Sequence, residues 1–325
     1  MTRSSQPTFR QQLPQLSGGL FITDGGMETT LIFQDGIDLP CFASFILLKD
    51  ARGTDALRAY FAPYVEVARN QGVGLILDSP TWRANPDWGA RLGYSPGELE
   101  TANRKAVALV EDIRSTAEGM ETPVVISGCV GPRGDGYRAT DLMTAAQAEN
   151  YHAGQVRTFS ETAADMVSAL TMTYSQEAIG IVRAATSVGM PVVISFTVET
   201  DGQLPSGQSL KEAIQQVDAE TGSATAYFMI NCAHPTHFDK VLQAGERWLD
   251  RIGGLRANAS AKSHAELDEA DELDAGNPTE LAAQYSALRG RLRSVSVVGG
   301  CCGTDHRHID AICSSWLRAS ERSNP

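Results

Sequence analysis

The sequence of 325 residues contains no apolar run reaching the roughly 18 residues of a membrane span. Its opening stretch, MTRSSQPTFRQQLPQLSGG, has no hydrophobic core of the kind a secretory signal needs, so a cytoplasmic protein without a membrane partner is expected. Basic residues are in deficit: 27 Lys plus Arg against 39 Asp plus Glu leave a net charge of −12. No cluster of them is available to neutralise phosphates, which argues against a nucleic-acid partner. Six cysteines, scattered over the chain, are too few for a disulfide framework. Neither a G-x-G-x-x-G fingerprint nor a Walker motif occurs. Lysine is confined to Lys49, Lys105, Lys211, Lys240 and Lys262, none at an expected strand end, which disfavours Schiff-base chemistry.

What is present is an ordinary globular composition, 42% hydrophobic and 20% charged, arranged in a strict alternation. Short runs rich in Val, Ile, Leu and Ala predict eight strands, over Leu20–Thr23, Gly74–Leu77, Val124–Ser127, Met166–Leu170, Val192–Thr197, Ala226–Asn231, Ile252–Arg256 and Val295–Val298. Helical spacing lies between them, over Thr54–Asn70, Glu98–Ala117, Thr140–Ala164, Gln176–Val188, Leu210–Thr221, His237–Trp248, Thr279–Arg291 and finally Arg307–Arg318. Eight β-α units in about 300 residues predict a single-domain α/β fold, a (β/α)8 TIM barrel over 18–325 behind a flexible N-terminal tail over 1–17. A doubly wound open sheet is the alternative, weakened by the missing phosphate fingerprint.

In a barrel, function belongs to the loops after the strands. These loops carry the unusual residues: Asp24-Gly25-Gly26, Pro80-Thr81-Trp82-Arg83, Asn231-Cys232 and Gly299-Gly300-Cys301-Cys302-Gly303. Cys232 ends the sixth strand and Cys301 and Cys302 end the eighth, so three thiolates can converge on one Zn²⁺, which favours sulfur ligands and leaves a catalytic position open. Spacing alone leaves the alternative of buried free cysteines, the reading given to Cys41, Cys129 and Cys313. His234, His237, His306 and His308 are read as surface or capping residues. Trp82 is read as a wall of a substrate pocket or a cover for the barrel mouth.

GGCCGTDHRHI (299–309), an upstream Asn231-Cys232, the opening TDGGMETTL (23–31), PTWRAN (80–85) and GCVGPRGDGY (128–137) together resemble the homocysteine S-methyltransferase family, in order from about Leu20 to Trp316. The resemblance implies a barrel in which Cys232, Cys301 and Cys302 hold Zn²⁺ and the thiol of homocysteine is methylated to methionine. The implied donor is a small sulfonium such as S-methylmethionine or S-adenosylmethionine, with betaine or dimethylsulfoniopropionate, or another thiol acceptor, as alternatives. The chain stops soon after the barrel, so a cobalamin-dependent methionine synthase is not expected.

The resemblance also implies substrate contacts: Asp24 to the ammonium, Gly25, Gly26 and Thr81 to the carboxylate, and Asn231 orienting the zinc loop. Asp24 and Asn231 also suit a turn and a cap. Where many members have Glu-Thr after the fourth strand, this sequence has Leu170-Thr171, and Glu199 is the expected replacement. That departure motivates a reading of another class, a zinc barrel that binds thiols without methyl transfer. Seven acids and no Lys or Arg lie between Ser263 and Leu288 (Glu266, Asp268, Glu269, Asp271, Glu272, Asp274, Glu280), either a solvated face or an attraction for a cationic donor. The oligomeric state is left open.

Overall fold

In the computed structural model, which describes residues 6–321 apart from 118, 120 and 271 and omits the side chains of 320 and 321, eight parallel strands close into a barrel in chain order. They are β1 (Phe21–Ile22), β2 (Gly74–Asp78), β3 (Val124–Val130), β4 (Met166–Met172), β5 (Val192–Phe196), β6 (Phe228–Asn231), β7 (Ile252–Ala257) and β8 (Val297–Gly300). The pairing of β1 with β8, Phe21 beside Val297, closes the ring and excludes the open sheet. Asp271 of the acidic stretch lies outside the described residues.

Local chemistry explains where the helices start and stop. Ala51–Gln71 begins where Asp50 accepts the Gly53 N–H and ends on Gly72 at φ +63. Pro96–Thr116, Ala145–Ser160 and Leu210–Thr221 each begin on a capping box, Ser95 with Glu98, Thr144 with Gln147 and Ser209 with Glu212. The Thr144 cap holds the expected Thr140–Ala164 helix to a later start. The expected helix over 237–248 does not form. Only Pro235–Phe238 is α-helical there, followed by a 3-10 turn at Arg247–Arg251, and Gly245 at φ +89 lies between them in a conformation through which no helix continues.

Side-chain alternation divides the core in two. Outward residues such as Ile126, Val130, Val167 and Val298 pack under the helices. Inward residues such as Ile76, Val125, Met166, Val193, Met229 and Val297 fill the barrel.

Residues 8–13, part of the segment expected from its polarity to be a flexible tail, make defined contacts with the barrel. Buried Asp165 accepts the N–H groups of Thr8 and Phe9, both at 2.7 Å, and Arg10 donates to the carbonyls of Ser160, Thr162 and Ala164. Leu13 then joins the interior cluster, so this segment plugs the end of the barrel opposite the strand C-termini. Among the described residues no helix is long and apolar enough to cross a membrane.

Candidate active site

Cys232 follows β6, and Cys301 and Cys302 follow β8. Their three Sγ atoms lie within 4.8 Å of one another, and Cys232 and Cys301 are placed as a disulfide with Cα atoms 5.4 Å apart. Four sulfurs arranged tetrahedrally about Zn²⁺ at about 2.3 Å would sit about 3.8 Å apart, so this cluster needs only small side-chain movements to hold a metal once reduced. Both thiols must then be free.

The backbone that aims these sulfurs is unusual. Cys232 takes φ +53 and Thr171, facing it from the end of β4, takes φ +62, both rare for residues with a Cβ. Asn231 holds the two together. Its Oδ1 accepts from Thr171 N (2.9 Å) and Ser195 Oγ (2.6 Å), while its Nδ2 donates to Thr171 Oγ1 (2.8 Å) and points at Cys301 Sγ (3.9 Å). Asn231 thus ties the end of β4 to β5 beside the cysteine loops. Gly26 admits the other loop: a Cβ there would meet the Cys301 carbonyl at 2.7 Å and the Cys302 Cα at 3.0 Å.

Two rings cover the cysteines. Tyr137 stacks on His264 with centroids 4.1 Å apart, and its hydroxyl lies 3.5 Å from Cys302 Sγ. His264 Nε2 donates to the Cys232 carbonyl at 2.7 Å. Burial pushes the Cys302 thiol up to about 11 and holds the Tyr137 phenol well above its usual value, so without a nearby cation both keep their protons at neutral pH. A bound metal reverses this for the thiol.

The cluster opens into a cavity of about 590 Å³. Asp24, Asp78 and Arg256 meet at its floor, all at most 5% exposed. Arg256 donates to both carboxylates and to the Gly300 carbonyl, and Tyr60 donates to the second oxygen of Asp24 at 3.0 Å. Burial raises the Asp24 carboxyl to about 6 against the opposing pull of Arg256. Asp24, expected to take an ammonium, thus already has a cation.

The other implied contacts are also engaged. Gly26 N donates to the Thr304 carbonyl (3.0 Å) and Thr81 Oγ1 to the Cys129 carbonyl (2.7 Å). A Cβ on Gly25 would meet the Thr304 carbonyl at 2.6 Å, so this glycine serves close packing. Glu199 does not line the cavity. Its N–H is fixed to the Gln203 carbonyl (2.8 Å) beyond β5, which turns its carboxylate sideways to His264 Nδ1 at 3.2 Å. Leu170 lies at the top of the apolar interior.

His306 is exposed, whereas His234, which caps its short helix, His237 and His308 are buried. None of the four joins the sulfur cluster. Trp82 does line the cavity, while Cys41 is exposed and Cys129 and Cys313 are buried.

A profile of the family described as homocysteine S-methyltransferase matches residues 21–316. The chain belongs to this family. Among solved structures, this methyltransferase is similar to the Escherichia coli homocysteine methyltransferase MmuM. For the metallated form the identity is 18%, over 91% of this chain and 96% of that one, with a TM-score of 0.71. For the oxidized form the identity is 19%, over 91% and 95%, with a TM-score of 0.72. At such identity the likeness bears on the fold. A comparison with curated proteins finds no match.

Residues of this methyltransferase's site with no role assigned from sequence include Arg256, Tyr137 and Glu28. Glu28 also lines the cavity, where burial raises its carboxyl and Ser44 Oγ donates to it at 2.8 Å. Glu28 and Tyr137 lie inside recognised motifs, and that was the only available signal for them. Arg256 had none beyond its place at a strand end.

Proposed function

We propose that this methyltransferase holds Zn²⁺ on Cys232, Cys301 and Cys302 and transfers a methyl group from a small sulfonium donor, S-methylmethionine or S-adenosylmethionine, to the thiol of homocysteine, giving methionine. The observation that carries this reading is the convergence of three sulfurs within 4.8 Å at the strand C-termini, beside a cavity. Bound there, zinc supplies a Lewis acid that takes the acceptor thiol to thiolate at neutral pH while leaving a sulfur lone pair for attack.

The chain's own residues do the positioning. Asn231 fixes the direction of Cys232 and Cys301, and the Tyr137 hydroxyl is placed to donate to the Cys302 sulfur, tempering its charge. The stacked Tyr137 and His264 rings keep water from one side of the cluster. Ordering acceptor and donor in one cavity can lower the barrier by several kcal/mol, up to about 7–11 in well-aligned cases.

The cavity's charge favours a cationic donor. Seven carboxylates line it (Asp24, Glu28, Asp78, Asp135, Asp268, Glu272, Asp274) against the two guanidiniums of Arg83 and Arg256. Burial, and then the neighbouring Asp135, raise the Asp268 carboxyl, as expected where negative charge is in excess. Betaine and dimethylsulfoniopropionate are also cationic at the methylated centre, so a donor panel decides. Zinc-loaded, reduced protein is incubated with homocysteine and each methyl-labelled donor in turn. Labelled methionine is expected from a sulfonium amino acid. No methionine from any donor would overturn the reading.

A further inference from the structure

Arg83 stands in the cavity wall, in the loop after β2, only 7% exposed. Its guanidinium lies between two indoles, with Cζ 4.0 Å from the Trp82 ring and 3.9 Å from the Trp88 ring. Both faces of the cation are covered, so it can bond only through its in-plane edge. On that edge one bond is made, from Nη1 to the Gly134 carbonyl at 2.9 Å, while Nε is buried without a partner. Among the described residues no carboxylate lies within ion-pair distance of it. Burial lowers its pKa, but only to about 10, so it stays charged at neutral pH.

A buried cation with open donors is unfavourable unless something pairs with it. The other cavity guanidinium, Arg256, is fully engaged by Asp24, Asp78 and Gly300. Gly26 N and the Thr81 hydroxyl, the donors expected for a substrate carboxylate, are used within the fold.

We infer that Arg83 is the anion subsite of this cavity and takes the carboxylate of a bound substrate on its open edge. The inference rests on the cavity being the active site. Homocysteine carries a carboxylate, and so does a sulfonium amino acid or betaine. Arg83 therefore selects for a carboxylate on the acceptor or on the donor, and the experiment separates the two.

Binding of methionine and of 3-(methylthio)propylamine, its analogue without the carboxylate, is measured by calorimetry on the full chain and on Arg83→Gln and Arg83→Lys, with circular dichroism melting to check each fold. Arg83→Gln is expected to weaken methionine by about 10- to 100-fold and to leave the amine unchanged, with Arg83→Lys in between. Equal effects on both ligands, or no preference of the unsubstituted protein for methionine over the amine, would overturn the inference.

For the source, KM is compared between homocysteine and 3-aminopropane-1-thiol, and between S-methylmethionine and trimethylsulfonium. A carboxylate-dependent rise in Arg83→Gln confined to the first pair assigns the acceptor, and one confined to the second assigns the donor. A rise in neither pair counts against the subsite. If no pair supports methyl transfer, the proposed function fails while the calorimetric comparison still decides on Arg83.

Discussion

At the residue scale, Arg256 sits where three strands contribute charge to one buried point, with Asp24 after β1, Asp78 at the end of β2 and Arg256 near the end of β7. Removing the cation leaves two carboxylates facing each other without water. Arg256→Met should therefore destabilise the protein by about 3–5 kcal/mol in urea unfolding. Adding Asp24→Asn should recover part of that loss, because one of the stranded charges goes with it. If the double substitution is as unstable as the sum of the two singles, the charges are not coupled in this way.

This triad could not be read from the sequence, since its members lie 54 and 178 residues apart in the chain and no motif joins them. The cysteines could be read, because Gly299-Gly300-Cys301-Cys302-Gly303 places two ligand-type residues where flanking glycines let the chain turn. Asp24 shows the limit of carrying a role over from a resemblance. Its position in the loop was foreseen, and its partner was not.

At the scale of elements, all eight strands were legible from their composition and spacing, because a strand buried on both faces needs a short apolar run. The region 237–248 was misread because its apolar spacing suits a helix, whereas the α-helix stops at Phe238 and Gly245 takes a positive φ that a helix could not cross. The contacts of the N-terminal segment were not legible, because its polar groups find partners only in tertiary structure. Asp165 is the clearest case. Completely buried, it accepts from Thr8 N, Phe9 N, Ile126 N (2.9 Å) and Arg114 Nη1 (3.1 Å), tying the plug to the barrel floor. Asp165→Ala should cost about 3–5 kcal/mol and expose the plug, measured as faster hydrogen exchange over residues 8–16. Unchanged exchange there would contradict the plug.

The start of the last helix, His306–Glu321, sets a pH dependence. Burial alone would raise the Asp305 carboxyl, but contacts with His308 and Arg307 prevail and hold it well below the ordinary carboxylate range. In that window the unfolded chain binds the proton more readily, so this stabilisation is present above about pH 4 and is lost as pH falls further. The difference in urea midpoint between the unsubstituted protein and Asp305→Asn should be largest near neutrality and should shrink between pH 5 and pH 3. A constant difference would show that the Asp305 charge is not responsible.

For the molecule as a whole, one end of the barrel is closed by residues 8–16 and the other opens through an acid-lined cavity onto three sulfurs. The excess of negative charge was visible in the composition, and part of its concentration in the acidic stretch that supplies Asp268, Glu272 and Asp274 to the cavity, while Asp24, Glu28, Asp78 and Asp135 were brought beside them by the fold. The central claim is that these three sulfurs form a metal site whose open position takes the acceptor thiol. X-ray absorption at the zinc edge of the reduced, zinc-loaded protein tests it most directly. The account predicts three sulfur neighbours at about 2.3 Å, rising to four when homocysteine is added. A shell of nitrogen and oxygen alone, or a sulfur count that homocysteine leaves unchanged, would contradict it.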